Sequence, residues 1–204
     1  MVTDEKRRYR MKKRAEAEEE TRRRITQSTV DLHEALGPSR TSVSAIAEHA
    51  GVRRSTVYRH FPDELALFTA CTSHWMGINP PPDPSAWSTI PDPEQRLSTA
   101  LNGLYPYYRR TRQMMTNIHR DEEVMPMVKQ MMGGYRAYLE AARDILLDGR
   151  TIPPPRRDTV KAAIGHALSF PVWRSLALEQ SLPDEECSEL MCRLVRAAQC
   201  IGDA

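Results

Sequence analysis

The residues best suited to chemistry lie between Ala50 and Phe61, in the run AGVRRSTVYRHF. This run combines three arginines with two hydroxyl side chains, a tyrosine and a histidine. A guanidinium group pairs with guanine O6 and N7 or with phosphate, and hydroxyl groups donate hydrogen bonds to phosphate oxygens. The mixture therefore favours recognition of a nucleic acid.

Residue patterns typical of enzymes and metal sites are missing from the sequence. The six histidines are scattered, and neither H-E-x-x-H, G-x-S-x-G nor a glycine-rich phosphate loop occurs. We therefore expect no enzyme activity, no catalytic residues, no cofactor and no metal site. Cys187, Cys192 and Cys200 fall on one predicted helix at spacings that do not share a face, and no CxxC is present. A thiol- or metal-responsive protein that uses these three cysteines stays open as an alternative.

Charge and composition point to a cytoplasmic protein whose front part meets a polyanion. Residues 1–62 hold 14 Lys/Arg and 9 Asp/Glu, a net charge of +5, whereas residues 63–204 hold 15 and 18, a net charge of −3. No apolar run is long enough to span a membrane, and the N-terminus lacks the apolar region of a secretory signal. The four cysteines then indicate reduced thiols.

The elements that position the basic run are two short helices joined by a tight turn. Apolar spacing predicts one helix around Val43–Ala50, capped by Thr41 or Ser42, and a second over about Arg53–His60. Gly51 supplies the positive φ that the turn needs, and Val57 and Phe61 hold the second helix down. The pattern predicts a helix-turn-helix whose second helix presents polar side chains outward.

The whole chain is predicted to be all-α, with about nine helices. The predicted parts are a basic N-terminal arm (1–14), a helix-turn-helix DNA-binding domain (15–76), a proline-rich connection without regular helix (77–93) and a second helical domain (94–204). The arm is interpreted either as a solubilising tail or as a segment that lies along the DNA backbone or in the minor groove. The first helix is expected to begin with the acidic run Glu16–Glu20, and Pro171 to kink a helix over about Arg156–Gln180.

The segment TSVSAIAEHAGVRRSTVYRHFPDELALF resembles the TetR-type (tetracycline-repressor-like) transcriptional regulators. It has the family's Ile-Ala, Ala-Gly-Val and Thr-(aliphatic)-Tyr-x-His-Phe pattern at the right spacing. The strong match covers about residues 21–71. Two positions depart from the pattern: Arg53 replaces the usual Ser or Thr cap, and Glu64 replaces a lysine that would contact phosphate.

The resemblance implies a role for each polar residue of this segment. Thr41 and Ser42 would contact phosphate, Arg54, Ser55 and Arg59 would read bases, and Thr56 would serve either role. Tyr58 and His60 would anchor to phosphate, and Arg53 offers a further phosphate contact. The partner would be double-stranded DNA that carries an inverted repeat, bound by a homodimer.

The resemblance also implies a ligand pocket and a dimer interface in the second part. The candidate pocket residues are Trp75, Tyr105, Tyr108, Met115, His119, Met131, Tyr135, Tyr138 and Trp173. The candidate interface residues, on two apolar stripes, are Ile164, Leu168, Trp173, Leu190, Leu194 and Ala198. The effector would be a small, mostly apolar molecule that lifts repression by shifting the helix Asp63–Trp75. Packing inside one subunit is the alternative for both sets, and a nucleoid-type protein that coats DNA without sequence preference is the alternative function.

Overall fold

The computed structural model describes residues 2–200 and the side chains of residues 6–199. Over this range the chain forms ten α-helices and no strand, which confirms the all-α prediction. The helices group into two compact units, the first made of residues up to 79 together with 116–128, and the second of residues 80–115 and those from 129 onward.

The first unit holds the predicted helix-turn-helix. Its helices are α1 (Val2–Ala35), α2 (Val43–His49), α3 (Arg54–His60) and α4 (Glu64–Ile78), with a 3₁₀ turn at Pro38–Arg40. Side chains from all four helices and the α3–α4 turn form one apolar core: Ile25, Val43, Ile46, Ala47, Ala50, Val57, Phe61 and Leu67. Burial of this core fixes the short helices α2 and α3, which are too short to be stable alone.

Helix α1 is much longer than the sequence analysis predicted. It runs without a break from Val2, so the prediction that it begins at Glu16–Glu20 is wrong. The preceding Lys, Arg, Met and Ala residues are good helix formers, and neither Gly nor Pro interrupts residues 2–35. Once Ile25 and its neighbours dock, adding further turns needs no new nucleation.

The second unit contains the rest of the helical chain. Its helices are α5 (Pro84–Ser88), α6 (Pro93–Asp121), α7 (Pro126–Leu147), α8 (Arg157–Ala167), α9 (Phe170–Arg174) and α10 (Asp184–Cys200). Helix α6 begins here, but its last residues, from 116, belong to the first unit, as do the first residues of α7. A 3₁₀ turn at Pro154–Arg156 precedes α8, a π-helical turn at Ser175–Glu179 follows α9, and α8 packs against α10.

Two predictions for this part are corrected by the structure. The proline-rich connection contains the short helix α5. Pro84 stands at the first helical position, where proline is favoured, and the Asp83 side chain caps the helix by accepting a hydrogen bond from Ser85 N. The helix expected over Arg156–Gln180 is two helices, because Pro171 has no N–H to donate to the carbonyl four residues earlier and the chain leaves helical geometry at Ser169.

Candidate nucleic-acid interface

Two local features set the geometry of the helix-turn-helix. Ser42, rather than Thr41, caps α2: its hydroxyl oxygen accepts a hydrogen bond from Ala45 N at 3.1 Å. In the turn, Gly51 has φ +63°, and the Val52 amide donates to Ala47 O at 2.9 Å. The turn needs this left-handed conformation at position 51, and glycine adopts it without steric cost. The cap and the turn together fix where α3 begins.

The inner side of α3 is anchored to the first unit. Val57 and Phe61 are each 1% exposed. The guanidinium of Arg22, on α1, lies 4.3 Å from the centre of the Phe61 ring and donates to His60 O at 2.7 Å. This bond satisfies a carbonyl at the C-terminal end of α3, where cations are favoured. The inner side of α3 is therefore fixed by contacts within the first unit, and its other side is exposed.

The outer side of α3 carries the side chains that the sequence singled out. Arg53, Arg54, Ser55, Tyr58 and Arg59 are exposed, and Thr56 is half-buried. Arg54 Nη2 donates to Tyr58 Oη at 3.2 Å, one helical turn away, and this hydrogen bond raises the pKa of Arg54. Arg53 caps α3 without a side-chain hydrogen bond, as its departure from the family pattern predicts.

Two of the predicted DNA contacts conflict with the structure. His60 is only 9% exposed, because its position three residues after Val57 places it on the inner side of α3. It is therefore not part of the outward surface and does not fit a phosphate anchor. The Thr41 hydroxyl donates to Gly37 O at 2.8 Å, so it holds the loop before α2. Ser42 remains exposed beside it.

The loop that precedes α2 is held by the last turn of α6. Asn117 Nδ2 donates to Glu34 O at 2.7 Å, and Arg120 Nη2 donates to Leu36 O at 2.8 Å. Asp121 is fully buried and accepts from Ser39 N at 2.8 Å and from Arg120 Nε at 2.7 Å. We call Asn117, Arg120 and Asp121 the α6 clasp. Sequence reasoning missed it, because its partners lie more than 80 residues away along the chain.

Burial and hydrogen bonding act in opposite directions on Asp121. Burial raises the pKa of its carboxyl group, but the bonds from Arg120 and Ser39 outweigh this effect and hold the pKa below its usual value. Asp121 is thus a carboxylate at neutral pH. The clasp is a charge-assisted network that fixes the backbone of the loop leading into α2.

A buried histidine of α1 and a buried cysteine of α4 contact each other in the first unit. Burial lowers the pKa of His33 to about 4 and raises that of Cys71 to about 12. His33 Nδ1 is 3.6 Å from Cys71 Sγ, and its ring centre is 4.8 Å from that of Phe68. Both groups are therefore neutral near pH 7, and this pair acts as packing within the first unit.

The predicted pocket residues do not form one group. Trp75 and His119 belong to the first unit and the others to the second. Tyr105, Tyr108 and Trp173 are fully buried, and their polar atoms are satisfied internally. Tyr105 donates to Ala167 O, Tyr108 to Leu168 O and Trp173 to Asp184 Oδ1, at 2.9, 2.6 and 2.9 Å. These three side chains are core packing, the alternative left open above.

Three of the four remaining pocket candidates of the second unit are partly accessible. Met131, Tyr135 and Tyr138 are half-buried, whereas Met115 is buried. Tyr135 Oη lies 2.8 Å from Tyr108 Oη, and Tyr138 donates to Pro82 O at 2.9 Å. A separate groove of about 490 Å³ lies between α7 and α8, and its lining includes Arg136, Arg143, Lys161 and Asp158 but none of the predicted pocket residues.

Four of the six predicted dimer-interface residues are buried inside the chain. Ile164, Leu168 and Trp173 are at most 1% exposed. Helix α8 packs on α10 of the same chain, and Trp173, on α9, packs against Tyr108 and Phe170. These three side chains are not available to a partner, so their assignment to the interface is wrong. Ala198 is also buried, whereas Leu190 is half-buried and Leu194 is 49% exposed. Leu190 and Leu194, both on α10, remain candidates.

Cys187 and Cys192, on α10, have surroundings that disfavour the thiolate. Cys187 is buried and Cys192 half-buried, and burial raises the pKa of both thiols. The side chain of Cys200 lies outside the described residues. Within the described part of the chain, no three His, Cys, Asp or Glu side chains are grouped to hold a metal ion. No helix there is long and apolar enough to cross a membrane.

Known proteins resemble this chain both in the helix-turn-helix segment and in the fold. Residues 25–71 match the model of the bacterial regulatory proteins of the tetR family. A TetR-like transcriptional regulator from Rhodococcus sp. RHA1 superimposes with a TM-score of 0.64 at 18% identity, over 89% of this chain and 97% of that one. NalD, the secondary repressor of the MexAB-OprM multidrug efflux pump of Pseudomonas aeruginosa, superimposes with a TM-score of 0.64 at 19% identity, over 91% of this chain and 100% of that one.

A third structure, a tetR-family transcriptional regulator from Streptomyces coelicolor, gives a TM-score of 0.62 at 20% identity, over 88% of this chain and 80% of that one. A search of the curated proteins gives no match. At these identities the structural likenesses establish the fold, while the family model covers the segment that forms α2, α3 and their supports. Residues 25–71 thus match the tetR family model, and the chain shares its fold with these three solved structures.

Proposed function

We propose that the protein is a cytoplasmic repressor that binds an inverted-repeat operator as a homodimer and is released by a small, mostly apolar ligand. The observation that carries this proposal is the outward surface of α3, where Arg54, Ser55, Tyr58 and Arg59 are exposed above an anchored inner side. A recognition helix needs polar side chains on the face that meets the DNA and close packing of its opposite face against the domain.

The outward side chains fit two different roles. Arg54 and Arg59 have the length and the forked donors to pair with guanine O6 and N7 in the major groove. Ser42, Arg53 and Tyr58 fit the phosphate oxygens on either side. Because Arg54 already bonds to Tyr58 Oη, its guanidinium is held along the helix before DNA arrives, which lowers the entropy lost on binding.

Dimerisation follows from the use of a short helix-turn-helix. Two recognition helices about 34–36 Å apart match successive major grooves of one DNA face. Leu194 is an exposed apolar side chain on α10, with the half-buried Leu190 one turn before it. These two residues support a dimer contact through α10. The likeness to NalD, which is named as a repressor, favours repression.

Ligand control would act through the two elements that hold the DNA-binding helices. Helix α4 packs on α1, and the α6 clasp bonds to the loop before α2. A ligand that shifts α4 or the last turn of α6 would move α2 and α3 away from the spacing of the operator. Linkage then requires that operator DNA weaken ligand binding by the same factor.

Substitution of Arg54 and Tyr58 tests the role of α3. We expect Arg54→Ala to cost about 1–3 kcal/mol on the operator and to relax the preference at one base pair. Tyr58→Phe should weaken all sequences by a similar factor, because it removes a phosphate donor. Binding titrations against the operator and its single-base variants measure both effects, with the exposed Arg112→Ala in α6 as the control.

Equal loss on every DNA sequence for Arg54→Ala would refute base reading. It would favour the nucleoid-type alternative, which the net charge of −3 in residues 63–204 already disfavours. No observation favours the thiol-responsive alternative, since burial raises the pKa of Cys187 and Cys192 and leaves little of the reactive thiolate.

A further inference from the structure

The N-terminal part of α1 is a helix that no other described element covers. Every side chain from Lys6 to Glu20 is exposed, and Ile25 is the first fully buried side chain of α1. We call Lys6–Arg14 the basic extension. A helical segment that projects from a domain without burying its own side chains offers all of its surface to another molecule.

The basic extension has a dense, largely unneutralised positive charge. Seven of its nine residues are Lys or Arg. Among the described side chains, Lys12 is the one member with an acidic partner, Glu16 at 3.8 Å, and both are well exposed. Such a surface pair is weak. Lys6, Arg7, Arg10 and Arg14, with Met11, line one shallow groove along the extension, so four cations recur on one face at helical spacing.

The basic extension continues α1 from a point where that helix contacts the recognition helix α3. Arg22 of α1 bonds to His60 O, at the C-terminal end of α3. At about 1.5 Å per residue, Arg14 lies ~12 Å and Lys6 ~24 Å along α1 from that bond. At about 3.4 Å per base pair, this reach equals roughly 7 base pairs of duplex.

We propose that the basic extension binds the phosphate backbone of the DNA that flanks the operator half-site. This inference rests on the proposed function, since it requires α3 to sit on DNA. A helix about 10–12 Å wide does not enter a minor groove about 6 Å wide, so the helical form favours contact with the phosphate backbone over insertion of the segment into the minor groove. Contacts of Lys and Arg with phosphate carry no sequence preference, and the extension therefore lengthens the footprint without adding base pairs to the recognised sequence.

A second copy of the chain is the competing occupant. The acidic residues Glu16, Glu18, Glu19 and Glu20 follow the extension directly, and two antiparallel copies could pair these blocks. Seven cations against four acids would leave excess positive charge in that pairing. DNA neutralises all of it, so the observations favour DNA.

The test compares two charge-neutralised variants on two duplexes. In the first variant Lys6, Arg7, Arg10 and Arg14 are changed to Gln. In the matched control Arg110, Arg112, Lys129 and Arg157, which are exposed in the second unit, are changed to Gln. One duplex holds only the operator, and the other adds about 10 base pairs of unrelated DNA at each end. Circular dichroism checks that both variants keep the helix content of the wild type.

We expect the wild type and the control to bind the longer duplex more tightly, and the first variant to lose that gain. Each lost phosphate contact lowers the salt slope by about 0.9. If all four cations make contact, the ratio of wild-type to variant affinity on the longer duplex falls roughly 100-fold per protomer between 50 and 200 mM salt. Hydroxyl-radical footprints should shorten at both ends.

Other outcomes would overturn the inference. An unchanged variant, or one equally weakened on both duplexes, would contradict binding to flanking DNA. A variant that dissociates in sedimentation but keeps the long-duplex gain would assign the extension to a second copy. Failure of the proposed function looks different: the wild type would then bind unrelated duplexes as tightly as the operator, whatever the variant did.

Discussion

At the scale of single residues, His33 links acidity to the stability of the first unit. Its ring is 4% exposed and packs against Phe68 and Cys71. Burial lowers its pKa from 6.5 to about 4, although the charge of Asp121 acts in the opposite direction. Between these two pH values the unfolded chain binds the proton and the folded chain does not, so stability falls as pH falls.

We therefore expect the free energy of unfolding to fall by up to about 3 kcal/mol as pH drops from 6.5 to 4. The His33→Gln variant should lose most of this dependence, whereas His49→Gln, at an exposed position, should keep it. Denaturant titrations at several pH values measure the effect. If His33→Gln kept the slope of the wild type, another group would be responsible.

The outward residues of α3 were largely predictable from the sequence. Arg54, Ser55 and Arg59 follow from the turn at Gly51 and the apolar anchors Val57 and Phe61, which are local signals. The family resemblance implies a phosphate anchor at His60, whereas its spacing from Val57 places its side chain on the inner side of α3. Asn117 and Asp121 carried no local signal, since their partners come from α1 and its loop.

At the scale of elements, the α6 clasp depends on a glycine in the loop that it holds. Gly37 has φ +94°, and a Cβ there would stand 2.0 Å from Arg120 Nη2 and 2.6 Å from Asp121 Oδ2. A side chain at this position would both strain the backbone and displace the clasp. The close approach of α6 to the loop thus requires glycine.

We expect Gly37→Ala to lower the free energy of unfolding by about 1–3 kcal/mol and to speed amide exchange of the loop residues 37–42. Gly134→Ala is the matched control, because it lies in α7 with nothing within 4 Å of the added Cβ. It should instead stabilise the protein by about 0.5–1 kcal/mol. Equal effects of the two substitutions would show that the clasp does not hold the loop.

Prediction of the elements succeeded where caps and breakers act locally. Ser42, Gly51 and Asp63 delimit α2, α3 and α4 as expected. Apolar stripes were less informative, because a stripe that packs inside one chain looks the same as one that meets a partner. Leu168 and Leu194 were both assigned to the interface, yet the first is buried and the second exposed. Only the packing of α8 on α10 separates them.

At the scale of the whole molecule, charge and fold assign different tasks to the two ends of the chain. Residues 1–62 carry a net +5 and contain α2, α3 and the basic extension, whereas residues 63–204 carry a net −3. A polyanion is therefore attracted to residues 1–62 rather than to the rest of the chain. This asymmetry was readable from the sequence, but the helical form of the extension was not.

The most direct test of the account is selection of genomic DNA fragments by the purified full-length protein at near-physiological salt. A sequence-specific dimer should recover one inverted repeat, with half-sites about 10 base pairs apart from centre to centre, and Arg54→Ala should abolish that recovery. Recovery of unrelated fragments whose binding vanishes on addition of salt would contradict the account, because only phosphate would then be recognised.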